Sequence, residues 1–340
     1  MGLTELLTNV SMLAATRAFA KAARLSLPKT LPPLPKRSAS PATCLHGLRG
    51  LAACAVFLRH MLVSFFAFPD HGSIHEEALP IRQLLRRFPL LRLPFAGNAM
   101  VCVFFVISGY LDSKPLRLIR AQDWAGVQGH LASGILRRGP RLFIPALAAS
   151  TILAVAIWLG LYEWGLEYRL SFFDALPPHV KREASIFKQL WRTWSSFSEL
   201  FNVWSFHPIL PAVNMHYWTL PYDFRATCIR YLTILCSSRL GTVGRTAVTV
   251  AVICFCAAWA RWEVVLNLCG ALLYEVDLVT GWLGRASADM AFGGKKITSR
   301  PTRRVCAILL IFSVYLCCFP KQNGNQTPGF RILSRLAPDA

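Results

Sequence analysis

The chain has 340 residues, of which 54% are hydrophobic and only 16% are charged, and its formal net charge is +20. This composition is too apolar for an ordinary soluble domain and predicts several membrane-spanning helices. The basic residues are spread through the segments between apolar runs and are not gathered into one patch with stacking aromatic side chains. The positive charge therefore does not indicate a nucleic-acid partner; it is typical of loops that orient a membrane protein.

Most of the eleven cysteines lie inside apolar runs, where free cysteine behaves as a small hydrophobic residue. The sequence contains no CxxC pair and no Cys/His spacing of the kind that binds zinc. We therefore expect no metal site.

Residues 1–43 are predicted to form a cytosolic, mostly disordered tail. Residues 3–27 have the pattern of a weak amphipathic helix on a membrane surface, because three basic residues interrupt the apolar stretch. No small-residue cleavage pattern follows them, so we expect no secretory signal. The prolines between residues 28 and 41 predict an extended, solvated linker.

Residues 44–340 are predicted to form an all-α, polytopic transmembrane helical bundle. Hydropathy indicates about seven spans, near 46–68, 95–112, 142–161, 217–236, 246–262, 264–283 and 305–319. The positive-inside rule places the N-terminus and the basic loops 113–141 and 284–304 in the cytosol, with the loops 69–94 and 162–216 on the other side. The loop 162–216, rich in aromatic residues and prolines, is predicted to be re-entrant or interfacial.

The first span carries Arg49 and His60, eleven residues apart. At 3.6 residues per turn they share one helix face, about 16 Å apart along the axis. Ionisable groups inside a membrane helix are costly, which makes both residues functional candidates. Alternatively, Arg49 extends to an interface and His60 forms a hydrogen bond within the bundle. The spacing by itself leaves both interpretations open.

Other candidate residues occur around the next three spans. Ser108, Gly109 and Tyr110 end the second span, where a small residue also favours simple helix packing. Arg138 and Arg141 precede the third span and could bind phosphates, or could only set the orientation of the chain. Trp218 and Thr219 lie at the start of the fourth span. Asp223 and Arg230 follow in the same span, seven residues apart, and therefore share one helix face.

Together these segments resemble the membrane acyltransferase 3 family in its fungal form. The first-span Gly47-Leu48-Arg49-Gly50-Leu51 with His60 is similar to the family's arginine–histidine pattern. Phe104 to Tyr110 resembles its FFxxSGY segment. Arg138 to Arg141 resembles its RxxR motif, and Trp218 to Phe224 resembles its WTLPxEF stretch. The resemblance covers about residues 44–235 and continues more weakly beyond them.

The resemblance implies an integral membrane enzyme that transfers an acyl group from an acyl-CoA co-substrate, with no bound cofactor, to a hydroxyl acceptor. His60 would be the general base, and Arg49 would orient the donor or stabilise the developing charge on its carbonyl oxygen. Asp223 would position His60 or an arginine. Arg138 and Arg141 would hold the donor's phosphates. Ser108, Gly109, Tyr110, Trp218 and Thr219 would line the site. The acceptor would be a small molecule, a sugar or a lipid.

Three departures accompany the resemblance. His46 stands where the family usually has an aspartate, and Asp223 replaces a glutamate. The family also has about ten spans, so we expect this chain to be incomplete at its C-terminal end. A transporter, or a family member without catalytic activity, remains an alternative interpretation of the same residues.

Overall fold

The computed structural model describes residues 41–66, 96–161, 182–205, 215–281 and 300–318. Within these ranges the secondary structure is helical, with no β-strand. The α-helices are α1 Pro41–Phe66, α2 Gly97–Leu111, α3 Lys114–Arg120, α4 Trp124–Trp158, α5 Ile186–Ser198, α6 Thr219–Cys236, α7 Thr242–Ala258, α8 Trp262–Thr280 and α9 Arg300–Cys317. Short 3-10 turns, Glu199–Phe201 and Met215–Trp218, follow α5 and precede α6. The predicted all-α class is confirmed for this part of the chain.

Each of the seven predicted spans overlaps one of these helices. By length and composition, two stretches in the described ranges are apolar enough to cross a membrane, Gly97–Arg120 and Trp124–Trp158. Two shorter apolar helical stretches are Thr242–Ala258 and Ile308–Cys317. The count of seven spans therefore stays a prediction. The described residues do not include residues 1–40 of the predicted tail, the whole predicted loop 69–94, or residues 284–299 of the predicted loop 284–304.

The prediction of a loop over 113–141 is wrong. The helix that contains the third predicted span begins not at residue 142 but at Trp124, and it has 35 residues. Asp123 starts it by accepting a 2.9 Å hydrogen bond from the backbone N–H of Gly126. Hydropathy identified only the apolar half of this helix, because arginine is a good helix former but a polar residue. Arg138 and Arg141 consequently lie within α4, one turn apart, and not in a loop.

The segment 182–205, placed within the predicted loop 162–216, contains the helix α5. Ser185 caps it by accepting a 3.3 Å hydrogen bond from the N–H of Phe187. Phe197 and Leu200 pack on Phe143 and Ala146 of α4 in one apolar cluster. Residues 162–181 and 206–214 are outside the described part of the chain.

In the described part of the chain, α2 and α8 approach each other closely at two glycines. A Cβ on Gly109 would lie 2.0 Å from the carbonyl oxygen of Asn267, and a Cβ on Gly270 would lie 2.1 Å from that of Val106. No side chain fits at such separations. The prediction that Gly109 allows another backbone to approach is confirmed.

Contacts between side chains also show in which direction each helix runs. Arg59 donates a 2.7 Å hydrogen bond to Asn98, whereas Arg49 lies over the ring of Phe104. Residue numbers therefore rise in α2 as they fall in α1, so the two helices are antiparallel. A further helix, α6, runs in the direction of α2, because Ala226 packs with Phe105 and Arg230 contacts the carbonyl of Ser108.

Two buried ion pairs join neighbouring helices, one between α6 and α8 and the other between α7 and α8. Arg225 donates to Glu263 at 2.5 and 3.0 Å, and also to the carbonyls of Val203 and Ser205 at 3.1 and 3.0 Å. Arg245 donates to Glu275 at 2.6 Å. Each of these charges is thus neutralised by a partner on a neighbouring helix, and removing one partner would leave a costly unpaired charge inside the bundle.

Candidate active site

The guanidinium of Arg138 is the centre of a cluster of charged side chains drawn from three helices. One terminal nitrogen lies 2.8 and 3.0 Å from the two carboxylate oxygens of Asp223 on α6. The other donates a hydrogen bond to Asp112, which follows the last turn of α2. Arg138 thus uses the planar fork of its side chain to join two carboxylates.

Arg230 completes this cluster from α6. Its side chain is 0% exposed, and one terminal nitrogen donates to the carbonyl of Ser108 at 3.1 Å and to the side-chain oxygen of Asn267 at 3.0 Å. The other terminal nitrogen lies 3.6 Å from Asp112. Asp112 therefore lies between the two arginines. We call Asp112, Arg138, Asp223 and Arg230 the four-charge cluster; its formal charges sum to zero.

The prediction that Asp223 positions His60 or an arginine stays a prediction, and in the structure Asp223 pairs with an arginine. That arginine is Arg138, whereas Arg230, which shares the helix face of Asp223, lies 3.6 Å from Asp112. The pairing leaves Arg138 with both terminal nitrogens engaged by carboxylates of the protein. A phosphate would have to compete with those carboxylates for the same nitrogens, so the predicted role of Arg138 in binding the donor is the less favourable one for this geometry.

Arg49 and Arg141 differ from Arg138 in being unpaired. Among the described residues neither has a carboxylate within ion-pair distance. Arg49 is half-buried, with its guanidinium carbon 4.2 Å from the centre of the Phe104 ring. The charges of Arg141, Arg138, Asp112 and Asp223 all lie near enough to act on Arg49. Arg141 is exposed one turn after Arg138. These two guanidinium groups are available for an anion beside a cluster that is already neutral.

His60 lies away from this group. Its neighbour Arg59 contacts Asn98 in the first turn of α2, whereas Asp112 follows the last turn of the same helix. Those two residues of α2 are fourteen positions apart, which corresponds to about 21 Å along the axis. The structure therefore brings Arg49, Arg138 and Asp223 together and leaves half-buried His60 at the other end of α1.

The predicted lining residues fall into two groups. Ser108 and Gly109 are buried against α8, and the hydroxyl of Tyr110 donates a 2.7 Å hydrogen bond to Asp277. Ser108 contacts the cluster through its carbonyl oxygen, while its buried hydroxyl has no hydrogen-bond partner among the described residues. Half-buried Thr219 begins α6, and Trp218 packs edge-on against Tyr222, one residue before Asp223.

Two residues of the site, Asp112 and Asn267, are not predicted from the sequence. Asp112 lies directly after the apolar segment that ends in Tyr110, where an acidic residue resembles an ordinary end of a span. Asn267 is a lone amide in the apolar run of α8, and an uncharged polar residue at such a position is a weak signal. In the described ranges, no three His, Cys, Asp or Glu side chains are grouped as metal ligands.

The class of this chain, as far as the structure describes it, is a helical bundle with paired charges buried between closely packed helices, and two of its stretches are long and apolar enough to cross a bilayer. Its family follows from comparison with known proteins. Residues 43–335 match the model of the acyltransferase 3 family, described as an acyltransferase domain. The chain belongs to this family.

Curated fungal proteins are similar over most of the chain. The O-acetyltransferase PaAT-1 of Phomopsis amygdali is 27% identical over 326 residues, which cover 87% of this chain and 61% of that protein. The acyltransferase R4 of a Phoma species is 23% identical, over 90% of this chain and 73% of the relative. The acyltransferase clz18 of Cochliobolus lunatus is 22% identical, over 86% and 70%. No solved structure matches the chain.

Proposed function

We propose that this protein is an integral membrane O-acyltransferase that moves an acyl group from an acyl-CoA-type donor to a hydroxyl acceptor. Membership of the acyltransferase 3 family supports the reaction class. One of the relatives is named an O-acetyltransferase, which favours transfer to oxygen. The observation that carries the proposal is the pair of uncompensated arginines, Arg49 and Arg141, beside the neutral four-charge cluster.

Arg49 and Arg141 take the donor's phosphates in this mechanism. An ionised guanidinium forms charge-assisted, bidentate hydrogen bonds with phosphate oxygens. Arg138 instead has a positioning role: with Asp112 and Asp223 it holds α2, α4 and α6 together, which sets the position of Arg141 on α4. This assignment revises the expectation that Arg138 and Arg141 bind the donor as a pair.

His60 acts as the general base at a distance from the phosphates. It lies on the same face of α1 as Arg49, about 16 Å further along the axis. An acyl-CoA is an elongated molecule whose thioester is far from its nucleotide phosphates. A donor lying along α1 with its phosphates at Arg49 would extend its thioester toward His60. Arg49 is then too far from the reacting carbonyl to stabilise its charge, so its role is to orient the donor.

The chemical step is a direct transfer. The acceptor's hydroxyl oxygen forms a bond to the acyl carbon as neutral His60 takes the hydroxyl proton. The carbon–sulfur bond then breaks, and the leaving thiolate receives that proton from His60. The products are the ester and the free thiol of the donor, and the histidine returns to its neutral form.

Transfer of a labelled acetyl group from acetyl-CoA, by membranes that contain the protein, tests this function. We expect His60→Gln to lower the rate by about a hundred- to ten-thousand-fold, because general-base catalysis contributes that much. His46→Gln, an exposed histidine on the same helix, is the matched control and should keep its rate. Unchanged turnover in His60→Gln would end the general-base role, and proton-coupled uptake without transfer would identify a transporter instead.

A further inference from the structure

The helix α5 buries two polar side chains and exposes large aromatic ones. Gln189 is 0% exposed and Thr193 only 3% exposed, although both are polar. Phe187 and Trp191, in contrast, are 80% and 72% exposed. A helix on a water-facing surface buries its apolar stripe and exposes its polar one. The outward face of α5 is therefore suited to a surrounding that is less polar than water.

The exposed aromatic side chains form a continuous stripe. Phe187, Trp191 and Trp194 are spaced by four and three residues, which places them within about 60° of each other around the helix axis. Partly exposed Phe201 and Trp204 follow in the turns after α5. Tryptophan is enriched where a membrane meets water, because its large ring is apolar while its N–H donates to polar groups.

Basic side chains border this stripe on one side. Lys188 is exposed and has no ion-pair partner among the described residues. Arg192 forms a 2.7 Å ion pair with Glu183, and its side chain remains 43% exposed. Long basic side chains can lie along an apolar surface while their charged ends reach phosphate groups.

On its inward side, α5 packs against α4, a helix that is long and apolar enough to span a bilayer. Phe197 is buried against Phe143 of α4. The outer face of α4 exposes apolar side chains of its own, including Ile144 and Ile152. Helix α5 thus packs directly on a helix whose own exposed side chains are apolar.

We propose that α5 is an interfacial helix, with Phe187, Trp191 and Trp194 inserted at the boundary between lipid headgroups and acyl chains and with Lys188 and Arg192 at the phosphates. The proposal depends on the protein's being embedded in a membrane and is independent of acyl transfer. It follows that α5 anchors the segment 182–205 to the bilayer surface, next to the α4 helix that carries Arg138 and Arg141.

Fluorescence quenching of the full chain in phosphatidylcholine vesicles tests this placement. Vesicles whose lipids carry bromine near the headgroup end of the acyl chain quench tryptophans at the interface. We expect the quenched fraction to be smaller in a Trp191→Phe/Trp194→Phe variant than in the unaltered protein, which has ten tryptophans. Trp262→Phe is the control, because that ring packs inside the bundle against Phe105, and it should not reduce the quenched fraction.

The same variants separate the other occupants of the surface. If aqueous iodide quenches Trp191 and Trp194 and brominated lipid does not, the stripe faces water and the proposal is wrong. If neither agent quenches them, another segment of the chain or a second copy covers the stripe, and the proposal is equally wrong. Loss of acyl transfer with unchanged lipid quenching would leave α5 at the interface.

Discussion

The three arginines near the four-charge cluster differ in what surrounds them, and that difference separates their roles. Arg138 contacts two carboxylates, whereas Arg141 is exposed and Arg49 lies over an aromatic ring. A charge that the protein has already neutralised contributes to folding, while an uncompensated charge attracts an anionic ligand. Substituting these residues one at a time should therefore produce two different kinds of defect.

Arg141→Gln should raise the concentration of acyl donor needed for half-maximal rate without changing the melting temperature. A charge-assisted hydrogen bond contributes about 1.5–3 kcal/mol, so an increase of roughly tenfold or more is expected. Steady-state kinetics with varied acyl-CoA measure it. Arg137→Gln is the control, since Arg137 is also exposed on α4 and its contact is with the carbonyl of Ser133. An equal rise in both variants would mean a general effect of surface charge.

Arg138→Gln should instead destabilise the fold, because Asp112 and Asp223 would then lie close together without their shared cation. Breaking a buried ion pair costs about 3–5 kcal/mol, and we expect less because Asp112 is 32% exposed. Thermal unfolding in detergent, compared with Arg137→Gln, measures this loss. A normal melting temperature combined with a higher requirement for donor would return Arg138 to the donor-binding role.

At the scale of helices, the contact between α2 and α8 is the most sensitive to side-chain size. Gly109→Ala would place a methyl group 2.0 Å from the carbonyl oxygen of Asn267, so the two helices would have to separate. Overpacking of this kind costs about 1–3 kcal/mol, and the displacement would also disturb the hydrogen bond from Arg230 to Asn267.

The control for this substitution is Gly129→Ala on α4, where nothing lies within 4 Å of the added methyl group. Alanine favours a helix over glycine by up to about 1 kcal/mol, so Gly129→Ala should be neutral or stabilising. Unfolding in detergent compares the two variants. If Gly109→Ala is as stable as the unaltered protein, the close approach of α2 and α8 is not a feature of the folded state.

For the molecule as a whole, the directions of the helices predict which ends share a side of the membrane. Arg239, just after α6, lies over the ring of Trp124 at the start of α4, with its guanidinium carbon 4.3 Å from the ring centre. The ends of α3 and α6 are therefore neighbours. The turn between α7 and α8 lies at the other end of both helices. We expect the first group to be cytosolic, because the positive-inside rule assigns the surrounding basic residues to that side.

Single cysteines in a cysteine-depleted background test this arrangement. Arg120→Cys and Gly241→Cys should react with an impermeant thiol reagent from the same side, and Ala258→Cys from the opposite side; all three positions are exposed. In sealed vesicles of known orientation, the first two should react from the cytosolic face. Reaction of all three from one face would contradict the alternation of helices, and reaction of the first two from the opposite face would reverse the assigned orientation.

Helices were the most predictable part of this protein. A stretch of apolar residues satisfies its own backbone hydrogen bonds within one helix, so its position depends on local sequence and can be predicted from hydropathy. Hydropathy does not predict the start of α4, because the first half of that helix is polar and contains arginines. The buried face of α5 was likewise hidden, since its inward residues Gln189 and Thr193 are polar.

Local sequence is enough to predict the helical class, the approximate positions of the apolar helices and the motifs that carry the family. Which charges meet depends on how the helices pack. Asp223 and Arg138 are 85 residues apart in the chain, and Asp112 and Arg138 are 26 apart, yet one guanidinium joins both carboxylates. The strength of an interaction between charges depends on their distance in space and on the burial around them. Neither quantity can be read from spacing along the chain. Both quantities make Arg138 part of the fold, whereas Arg141, one helical turn away, remains exposed.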